Sequence, residues 1–215
     1  MAQTKIEWSE KVWNPVTGCT KVSAGCKNCY AETYANRFWG DRKFSDVICH
    51  EDRLEQPLKW KKPSMVFVNS MSDLFYKDVP FEFTTEIFRV MDNCHQHIFQ
   101  ILTKRPEIML DYLSKVDGNF YEPPVNVWLG VSVENQKTAD ERIPILLQTP
   151  AAVRWLSIEP LLEPIDLGQQ INGYWLDELD WVVVGCESGH NRRECKTEWI
   201  ESIVNQCKSA NVSVF

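Results

Sequence analysis

The segment MVFVNSMSDLF, at residues 65–75, decides how the rest of this 215-residue chain is interpreted. Its first part, MVFVN, is short, apolar and rich in β-formers, which is typical of a strand buried on both faces. Polar residues follow at once, beginning with Ser70, Ser72 and Asp73. A buried strand with such an ending is typical of parallel sheets, where ligands bind beyond the carboxyl ends of the strands.

The same pattern of apolar strand, polar ending and amphipathic helix recurs along the chain. Helical spacing of apolar residues follows the first strand at Phe83, Ile87 and Val90. Strands separated by amphipathic helices indicate a parallel sheet that is covered by helices. The predicted strands lie at residues 65–69, 97–102, 125–131, 153–158, 181–185 and 212–215, the helices around 83–94, 108–116, 138–147 and 200–207, and an irregular insert at 165–180.

A parallel sheet with right-handed crossovers forms either an open doubly wound fold or a barrel. No glycine-rich phosphate loop follows the first strand, which argues against a dinucleotide-binding fold. A complete eight-fold barrel takes roughly 250 residues, and this chain offers about six or seven units. We therefore predict an α/β fold, a partial (β/α)6-type parallel barrel, in a single domain over residues 1–215. The final segment, VSVF, resembles a strand that continues in relatives, which suggests a shortened chain or a barrel open at that edge.

Composition and charge exclude several classes of protein. A hydrophobic content of 44% with 25% charged residues is typical of a globular domain and argues against disorder. The net charge of −7 argues against binding by non-specific phosphate attraction, although a local basic groove remains compatible with it. No apolar run is long enough to span a membrane, and the amino terminus lacks the apolar core of a secretion signal. We expect a cytoplasmic protein without a membrane partner.

Three of the eight cysteines, Cys19, Cys26 and Cys29, crowd into the segment GCTKVSAGCKNCYAE. A reducing cytoplasm disfavours disulfides, so this cluster, in a loop at residues 19–30, needs another explanation. The C-x-x-C turn brings two sulfurs together, and Gly25 lets the chain fold back. A cluster or metal held by three thiolates keeps one coordination position open for a reacting molecule.

An iron–sulfur cluster is the favoured interpretation of this three-ligand count, and two alternatives stay open. Structural zinc needs a fourth ligand, which would make the chain a zinc-stabilised, non-catalytic module that binds a protein or nucleic acid. A barrel that holds neither metal nor cofactor is the other alternative. The candidates for a fourth zinc ligand are Cys49, His50, Cys186, His190 and Cys195.

The other predicted strands also end in polar or charged residues. Helix capping accounts for some serines, but it does not account for Lys104 or Glu159, because an ionised group is costly to bury without a partner. Residues from several strands should meet at one edge of the sheet, which predicts a binding site there. Its candidate residues are Ser70, Asp73, Lys104, Arg105, Ser132, Glu134, Glu159 and Glu187.

Several motifs in fixed order resemble a known family. They are WNPVTGCTKVSAGCKNCYAE, PSMVFVNSMSDLF, ILTKRP, WLGVSVEN, LSIEPLLEPI and VVVGCESG, and the resemblance runs from Trp8 to Phe215. The family comprises phage- and bacterium-encoded three-cysteine-motif proteins of uncharacterised function and is similar to the radical S-adenosylmethionine (radical SAM) superfamily. This chain departs from the superfamily in having six residues, rather than three, between the first two cysteines, and Asn28 where an aromatic residue usually stands.

The resemblance implies that Cys19, Cys26 and Cys29 hold a [4Fe–4S] cluster whose open iron binds S-adenosylmethionine. An electron from a flavodoxin- or reductase-type donor would then yield a 5′-deoxyadenosyl radical, which acts on an unknown substrate. By analogy with phage-encoded enzymes, that substrate is a nucleic acid or nucleoside. The implied contacts are Ser70 and Asp73 to the methionine amine, Lys104, Ser132 and Glu134 to the carboxylate and ribose, Tyr30 to the cluster or adenine, and Arg105, Glu159 and Glu187 to the substrate.

Overall fold

Nine strands and six helices are found in the part of the chain that the computed structural model describes, residues 4, 6–115, 122–168, 175–189 and 191–215. None of these helices has the length and apolar character needed to cross a bilayer. The strands are β1 (Lys11–Trp13), β2 (Val16–Thr17), β3 (Ile48–Cys49), β4 (Met65–Val68), β5 (Ile98–Thr103), β6 (Val127–Ser132), β7 (Val153–Ile158), β8 (Trp181–Val184) and β9 (Ser213–Val214). The helices are α1 (Tyr30–Phe38), α2 (Glu51–Leu54), α3 (Phe81–Asp92), α4 (Pro106–Lys115), α5 (Gln136–Gln148) and α6 (Thr197–Ser209).

Seven of the strands form one parallel sheet in the order β1-β4-β5-β6-β7-β8-β9. Each strand therefore pairs with the next main-sheet strand along the chain, which is the order of strands in a (β/α) barrel. Within the described residues β1 and β9 are each paired on one side only, so the sheet stays open. The predicted α/β partial parallel barrel is confirmed.

The remaining two strands, β2 and β3, form a small antiparallel pair beside the sheet. Strand β1 was not among the segments predicted, because three residues are too few to show a periodicity. The predicted irregular insert includes a short 3₁₀ helix at Trp175–Glu178, whose Trp175 and Leu176 are buried. Residues 169–174 of that insert, and Val116 of the predicted second helix, lie outside the described residues.

The two faces of the sheet bury different side chains. On the outer face the strands pack against the helices in one continuous hydrophobic core that includes Val66, Phe99 and Ile101. On the inner face the lower end of the barrel is filled by aromatic rings. The ring of Trp8 lies 4.8 Å from that of Phe67 and 5.4 Å from that of Trp155, with edge-to-face geometry. The open space of the barrel consequently lies at the other end, beyond the carboxyl ends of the strands.

Gly130 in β6 makes room for this aromatic floor. A β-carbon at this position would lie 2.6 Å from the indole of Trp155, the residue paired with it in β7. Trp155 is fully buried. Close packing of this kind resists even one added methyl group.

We predict that Gly130→Ala lowers the free energy of unfolding by about 1–3 kcal/mol, because the added methyl group forces the indole out of place. Denaturant unfolding, together with the near-ultraviolet circular dichroism of the tryptophans, measures the effect. Val125→Ala is the control, since Val125 is 82% exposed and its truncation should leave stability unchanged. Equal stability of Gly130→Ala and wild type would contradict the tight packing.

Candidate active site

A cavity of about 1270 Å³ lies at the carboxyl ends of the main-sheet strands. The cysteine loop, residues 19–30, forms part of its wall, and the polar residues that end the strands form the rest. The structure thus brings together side chains that are widely separated in sequence. The predicted site residues in this wall are Cys19, Cys26, Cys29, Tyr30, Ser70, Asp73, Lys104, Arg105, Ser132, Glu159 and Glu187.

The cysteine loop begins at Gly18, directly after β2. Gly18 has a φ of +99°, and a β-carbon there would lie 2.6 Å from the carbonyl oxygen of Asp46. Only glycine fits both the backbone angle and the space. Cys19, Cys26 and Cys29 are half-buried and line the cavity, and Cys19 and Cys29 also pack against a small apolar cluster of Ala31, Ala35 and Phe44.

Glu134 anchors the middle of the cysteine loop from below. Its carboxylate accepts a hydrogen bond from the backbone N–H of Gly25 at 3.1 Å and one from Arg142 at 3.0 Å. Glu134 is completely buried and does not line the cavity, so the structure places it behind the loop rather than where it would contact the ribose or carboxylate of a ligand. A β-carbon on Gly25 would come within 3.0 Å of this carboxylate, which explains the glycine.

Asp73 and Arg105 form a buried ion pair that anchors the start of the loop. The two side chains approach to 2.7 Å, and each is only 8% exposed. Asp73 also accepts hydrogen bonds from the Thr103 hydroxyl at 2.8 Å and the Lys104 backbone N–H at 3.2 Å. Its carboxylate is therefore occupied by the chain itself, which leaves little capacity for a ligand amine.

Arg105 extends this anchor to the first cysteine. Its guanidinium donates to the carbonyl oxygen of Thr20 at 3.0 Å and lies 3.7 Å from the sulfur of Cys19. Burial raises the pKa of Cys19 to about 11, with the charge of Asp73 adding to the rise and that of Arg105 opposing it. Arg105 thus supplies the positive charge that favours a thiolate at Cys19.

Glu187 anchors the end of the loop next to Cys29. Its carboxylate accepts hydrogen bonds from the Asn28 side chain at 2.8 Å and from the backbone N–H of Arg193 at 2.9 Å. It also forms a short ion pair with the Arg193 guanidinium. Mainly because of that hydrogen-bonded guanidinium, the pKa of Glu187 falls from its ordinary value near 4.5 to about 2. Asn28 therefore has a structural role, because its side-chain amide ties the cysteine loop to Glu187.

The candidate residues Tyr30, Ser70 and Ser132 already take part in hydrogen bonds within the chain. The Tyr30 hydroxyl donates to the backbone oxygen of Ser70 at 2.6 Å, which fixes the ring at the cavity mouth. The Ser70 hydroxyl donates to the side chain of Asn14 at 3.2 Å. Ser132 is buried, and its carbonyl oxygen accepts from Arg142 at 2.7 Å, so its side chain faces the cavity from a fixed backbone.

Three polar side chains in the cavity wall can still pair with or hydrogen-bond to a ligand. Lys104 makes no salt bridge to any described residue. The amide nitrogen of Asn69 is buried and has no hydrogen-bond partner among the described residues. Burial raises the pKa of Glu159, opposed by a hydrogen bond from Trp8 and by the charge of Lys104. Asn69 is buried, whereas Lys104 and Glu159 are half-buried. A buried polar group without a partner is costly unless a ligand or solvent satisfies it, so the amide nitrogen of Asn69 is a candidate for contact with a ligand, and Lys104 and Glu159 line the same wall.

Of the residues proposed for a fourth zinc ligand, only Cys186 lines the cavity within the part of the chain that the structure describes. Cys49 lies in β3, and the ring of His50 is hydrogen-bonded to the Thr17 hydroxyl at 2.8 Å; neither lines the cavity. Cys186 does line it, whereas Cys195 is half-buried and packs against the main hydrophobic core. His190 lies outside the described residues. Across the described ranges no three His, Cys, Asp or Glu side chains converge where they would hold a single metal ion.

Sequence reasoning missed several residues that build the site. Arg142 and Arg193 were not proposed, although each pairs with a predicted carboxylate. Asn69 was assigned to a strand, and its positive φ of 60° turns the chain toward the cavity. A charged strand-end residue such as Glu134 or Glu187 requires a nearby partner, but its position in the sequence does not say which residue supplies it.

We predict that Glu187→Gln lowers the free energy of unfolding by about 1–2 kcal/mol at pH 7, since hydrogen bonds to a charged group are lost. Because folding lowers this pKa, the contribution is complete above about pH 4.5 and disappears as the pH falls toward 2. Denaturant unfolding from pH 7 to pH 3 should show the two stabilities converging. The control is Glu141→Gln, which removes an exposed pair to Lys137 and should have no effect. A constant difference at every pH would contradict the assignment.

Comparison with known proteins gives a family and a fold. The sequence profile of DUF5131, a family described as proteins of unknown function, matches residues 3–215. No curated protein is significantly similar to the chain in sequence.

The structural neighbours are structures of spore photoproduct lyase, a radical SAM enzyme. The enzyme complexed with dinucleoside spore photoproduct has a TM-score of 0.58 at 10% identity, covering 93% of this chain and 74% of that one. A cysteine-to-serine mutant has a TM-score of 0.58 at 12% identity, covering 99% and 78%. A double mutant with bound AdoMet and dinucleoside spore photoproduct has a TM-score of 0.59 at 12% identity, covering 95% and 62%. The chain belongs to the DUF5131 family and has a partial barrel similar to that of spore photoproduct lyase.

Proposed function

We propose that this protein is a radical SAM-type enzyme in which Cys19, Cys26 and Cys29 hold a [4Fe–4S] cluster. The observation that carries the proposal is that three free thiols share one wall of a large cavity at the carboxyl ends of the strands of a partial barrel. A [4Fe–4S] cluster held there would supply one-electron reduction of S-adenosylmethionine, which splits it into methionine and a 5′-deoxyadenosyl radical. The residues of this chain bind, orient and shield the reactants.

The three cysteine thiols fit an iron–sulfur cluster better than they fit a single zinc ion. All ligands of one zinc ion lie about 2.0–2.3 Å from the same point, and the described residues show no group of three His, Cys, Asp or Glu side chains that converge in this way. In a cubane cluster each thiolate binds a different iron, so the sulfurs stay farther apart. The loop is also fixed independently of any metal, through Gly25, Asn28 and Thr20. A prepositioned loop of half-buried thiols is what assembly of a cluster requires.

The uncommitted polar groups suit the polar ends of S-adenosylmethionine. We assign Lys104, which lines the cavity, to its carboxylate, and the unpartnered nitrogen of Asn69 to a carboxylate or hydroxyl oxygen of the cofactor. Ser70 and Ser132 present hydroxyls in the same wall. Glu159, whose carboxylate keeps a raised pKa, faces the remaining space and is assigned to the substrate. Asp73, Arg105, Glu134 and Glu187 position the loop and its surroundings instead.

An electron donor of the flavodoxin or reductase type is part of the proposal, since cleavage of the sulfonium consumes one electron. We place the enzyme in the cytoplasm, where thiols stay reduced and free to bind iron. The open mouth of the cavity gives a small donor protein or a substrate access to the region near the cysteine loop.

We predict that reconstitution without oxygen gives about four iron and four sulfide per chain with broad visible absorbance. Reduction with dithionite in the presence of S-adenosylmethionine should then release 5′-deoxyadenosine. Cys29→Ala should abolish both, whereas Cys49→Ala, a half-buried cysteine outside the cavity, should preserve both. A preparation that binds zinc without sulfide under these conditions would overturn the proposal.

For the substrate we propose a nucleic acid, and an aromatic strip on α1 supports this. Tyr34 and Phe38 are 52% and 58% exposed, with ring centroids 4.6 Å apart. They follow Tyr30 at four-residue spacing, so the strip leads to the cavity mouth. The Arg37 guanidinium lies 5.2 Å from the Phe38 ring. Exposed aromatic rings beside arginine form the stacking platforms that bind single-stranded nucleic acids, and the similar enzyme is complexed with a dinucleoside.

We predict that Phe38→Ala weakens binding of a fluorescent single-stranded DNA by about 5-fold or more, since stacking contributes about 1–3 kcal/mol per base. Fluorescence anisotropy at fixed salt measures the affinity. Leu58→Ala, which truncates an exposed apolar residue elsewhere, is the matched control and should bind as wild type does. Unchanged affinity of Phe38→Ala would remove the support for nucleic acid while leaving the cluster chemistry standing.

A further inference from the structure

The segment at residues 39–46, which connects α1 to β3, lies against the start of the cysteine loop. We call this segment the strap. The backbone N–H of Cys19 donates a hydrogen bond to the carbonyl oxygen of Phe44 in the strap, at 2.8 Å. Lys43, Phe44 and Ser45 line the main cavity together with the three cysteines. The proposed chemistry assigns no role to the strap, so its place beside the thiols needs an explanation.

The side chain of Phe44 packs beside two of the three cysteines. Phe44 is only 9% exposed and forms a small apolar cluster with two alanines of α1. Cys19 and Cys29 pack against this cluster, whereas Cys26 is not among the described residues that do so. Closely packed apolar groups leave no room for water between them. Phe44 therefore shields Cys19 and Cys29 from solvent on one side and leaves Cys26 without this cover.

Arg42 holds the strap in position. Its Nη2 atom donates to the carbonyl oxygen and the hydroxyl of Thr17, each at 2.9 Å, and to the carbonyl oxygen of Asp46 at 2.6 Å. The guanidinium carbon lies 4.0 Å from the centroid of the Trp39 ring, which is the geometry of a cation–π contact. The Trp39 ring in turn lies 5.8 Å from that of Phe44. Arg42 thus fastens the strap to β2 and supports the aromatic pair.

The strap also has a fixed shape and a close fit to the chain before Cys19. The Asp46 carboxylate accepts from the backbone N–H of Lys43 at 3.1 Å, and the Asp46 N–H donates to the Lys43 carbonyl oxygen at 3.1 Å. A β-carbon on Gly18 would lie 3.0 Å from the carbonyl oxygen of Phe44, closer than atoms normally pack. The strap and the start of the cysteine loop are consequently in direct backbone contact.

We propose that Arg42 and Phe44 are positioning residues, which hold Cys19 and Cys29 in place and keep solvent from them. Phe44 supplies the apolar cover, and Arg42 fixes the cover in place. The hydrophobic shell around a metal site controls the access of solvent to it. The shielding is a property of the folded chain without any metal, whereas its use in protecting an iron–sulfur cluster rests on the proposed function.

The alkylation rates of the individual thiols test the shielding in the metal-free, reduced protein. The full chain is treated with iodoacetamide under native conditions without oxygen, and samples are quenched, denatured, labelled with heavy iodoacetamide and digested with trypsin. The three cysteines fall in separate peptides, 12–21, 22–27 and 28–37. Phe44→Ala should raise the rates at Cys19 and Cys29 at least about fivefold, because thiol reactivity follows exposure. The rate at Cys26 should not change, so Cys26 is an internal control.

Further variants separate loss of the cover from loss of stability. Phe44→Leu keeps an apolar side chain and should retain the wild-type rates at the two shielded cysteines. Arg42→Gln should raise the same two rates at least about twofold, because the strap then opens more often. Arg89→Gln, which removes an exposed pair to Glu86, is the matched control and should change neither rate.

Two results would overturn the shielding. One is an unchanged rate at both shielded cysteines in Phe44→Ala, and the other is an equal rise at Cys26. Should Phe44→Ala also expose Cys94, which is fully buried and reports global unfolding, the rates of Arg42→Gln decide in the same way.

A second measurement tests protection of the cluster. After reconstitution without oxygen, exposure to air should bleach the visible absorbance of Phe44→Ala several-fold faster than that of the wild type, since solvent and oxygen reach the cluster more easily. Equal bleaching rates would overturn the protective role. If the wild type takes up no iron and sulfide, the proposed function fails, while the alkylation rates of the metal-free protein still decide whether the strap shields the thiols.

Discussion

The buried ion pair between Asp73 and Arg105 is the interaction on which the site depends. It joins the ends of two adjacent strands, β4 and β5, and extends to the backbone of Thr20 and the sulfur of Cys19. Removing either partner would leave the other as an uncompensated buried charge, typically a loss of about 3–5 kcal/mol. The pair therefore fixes the position of the first cysteine relative to the sheet. Because breaking it is costly, the ion pair stays intact in the folded protein.

The polar residues of the cavity divide into two groups with different physical roles. Glu134 and Glu187 are already saturated by arginine and by backbone or side-chain amides, so they hold the loop. Lys104, Glu159 and Asn69 retain charge or hydrogen-bonding capacity that the chain does not use. A binding site for a polar ligand requires rigid support from the protein together with polar groups that are free to contact the ligand, and the two groups of residues provide these two things.

Much of the fold was predictable from sequence, because strands buried on both faces read as continuous apolar runs. The strands β4 to β8 were found in this way, and the polar residues after them identified the correct edge of the sheet. Strand β1, with three residues, carries too little periodicity to be found. The roles of the carboxylates were not predictable, because sequence shows that Glu134 ends a strand but not whether Arg142 or a ligand will reach it. In the folded structure the Arg142 guanidinium lies 3.0 Å from the Glu134 carboxylate, which identifies the arginine as its partner.

The anchors of the cysteine loop have a consequence for the order of events during synthesis. Gly25 is bonded to a residue 109 positions later and Asn28 to one 159 positions later. A ribosome therefore makes the loop well before the groups that fasten it, and the loop cannot take its fully hydrogen-bonded form until residue 187 has left the exit tunnel. For the proposed cluster this means that long-range folding, and not the sequence next to the cysteines, brings the binding loop and its fastenings together.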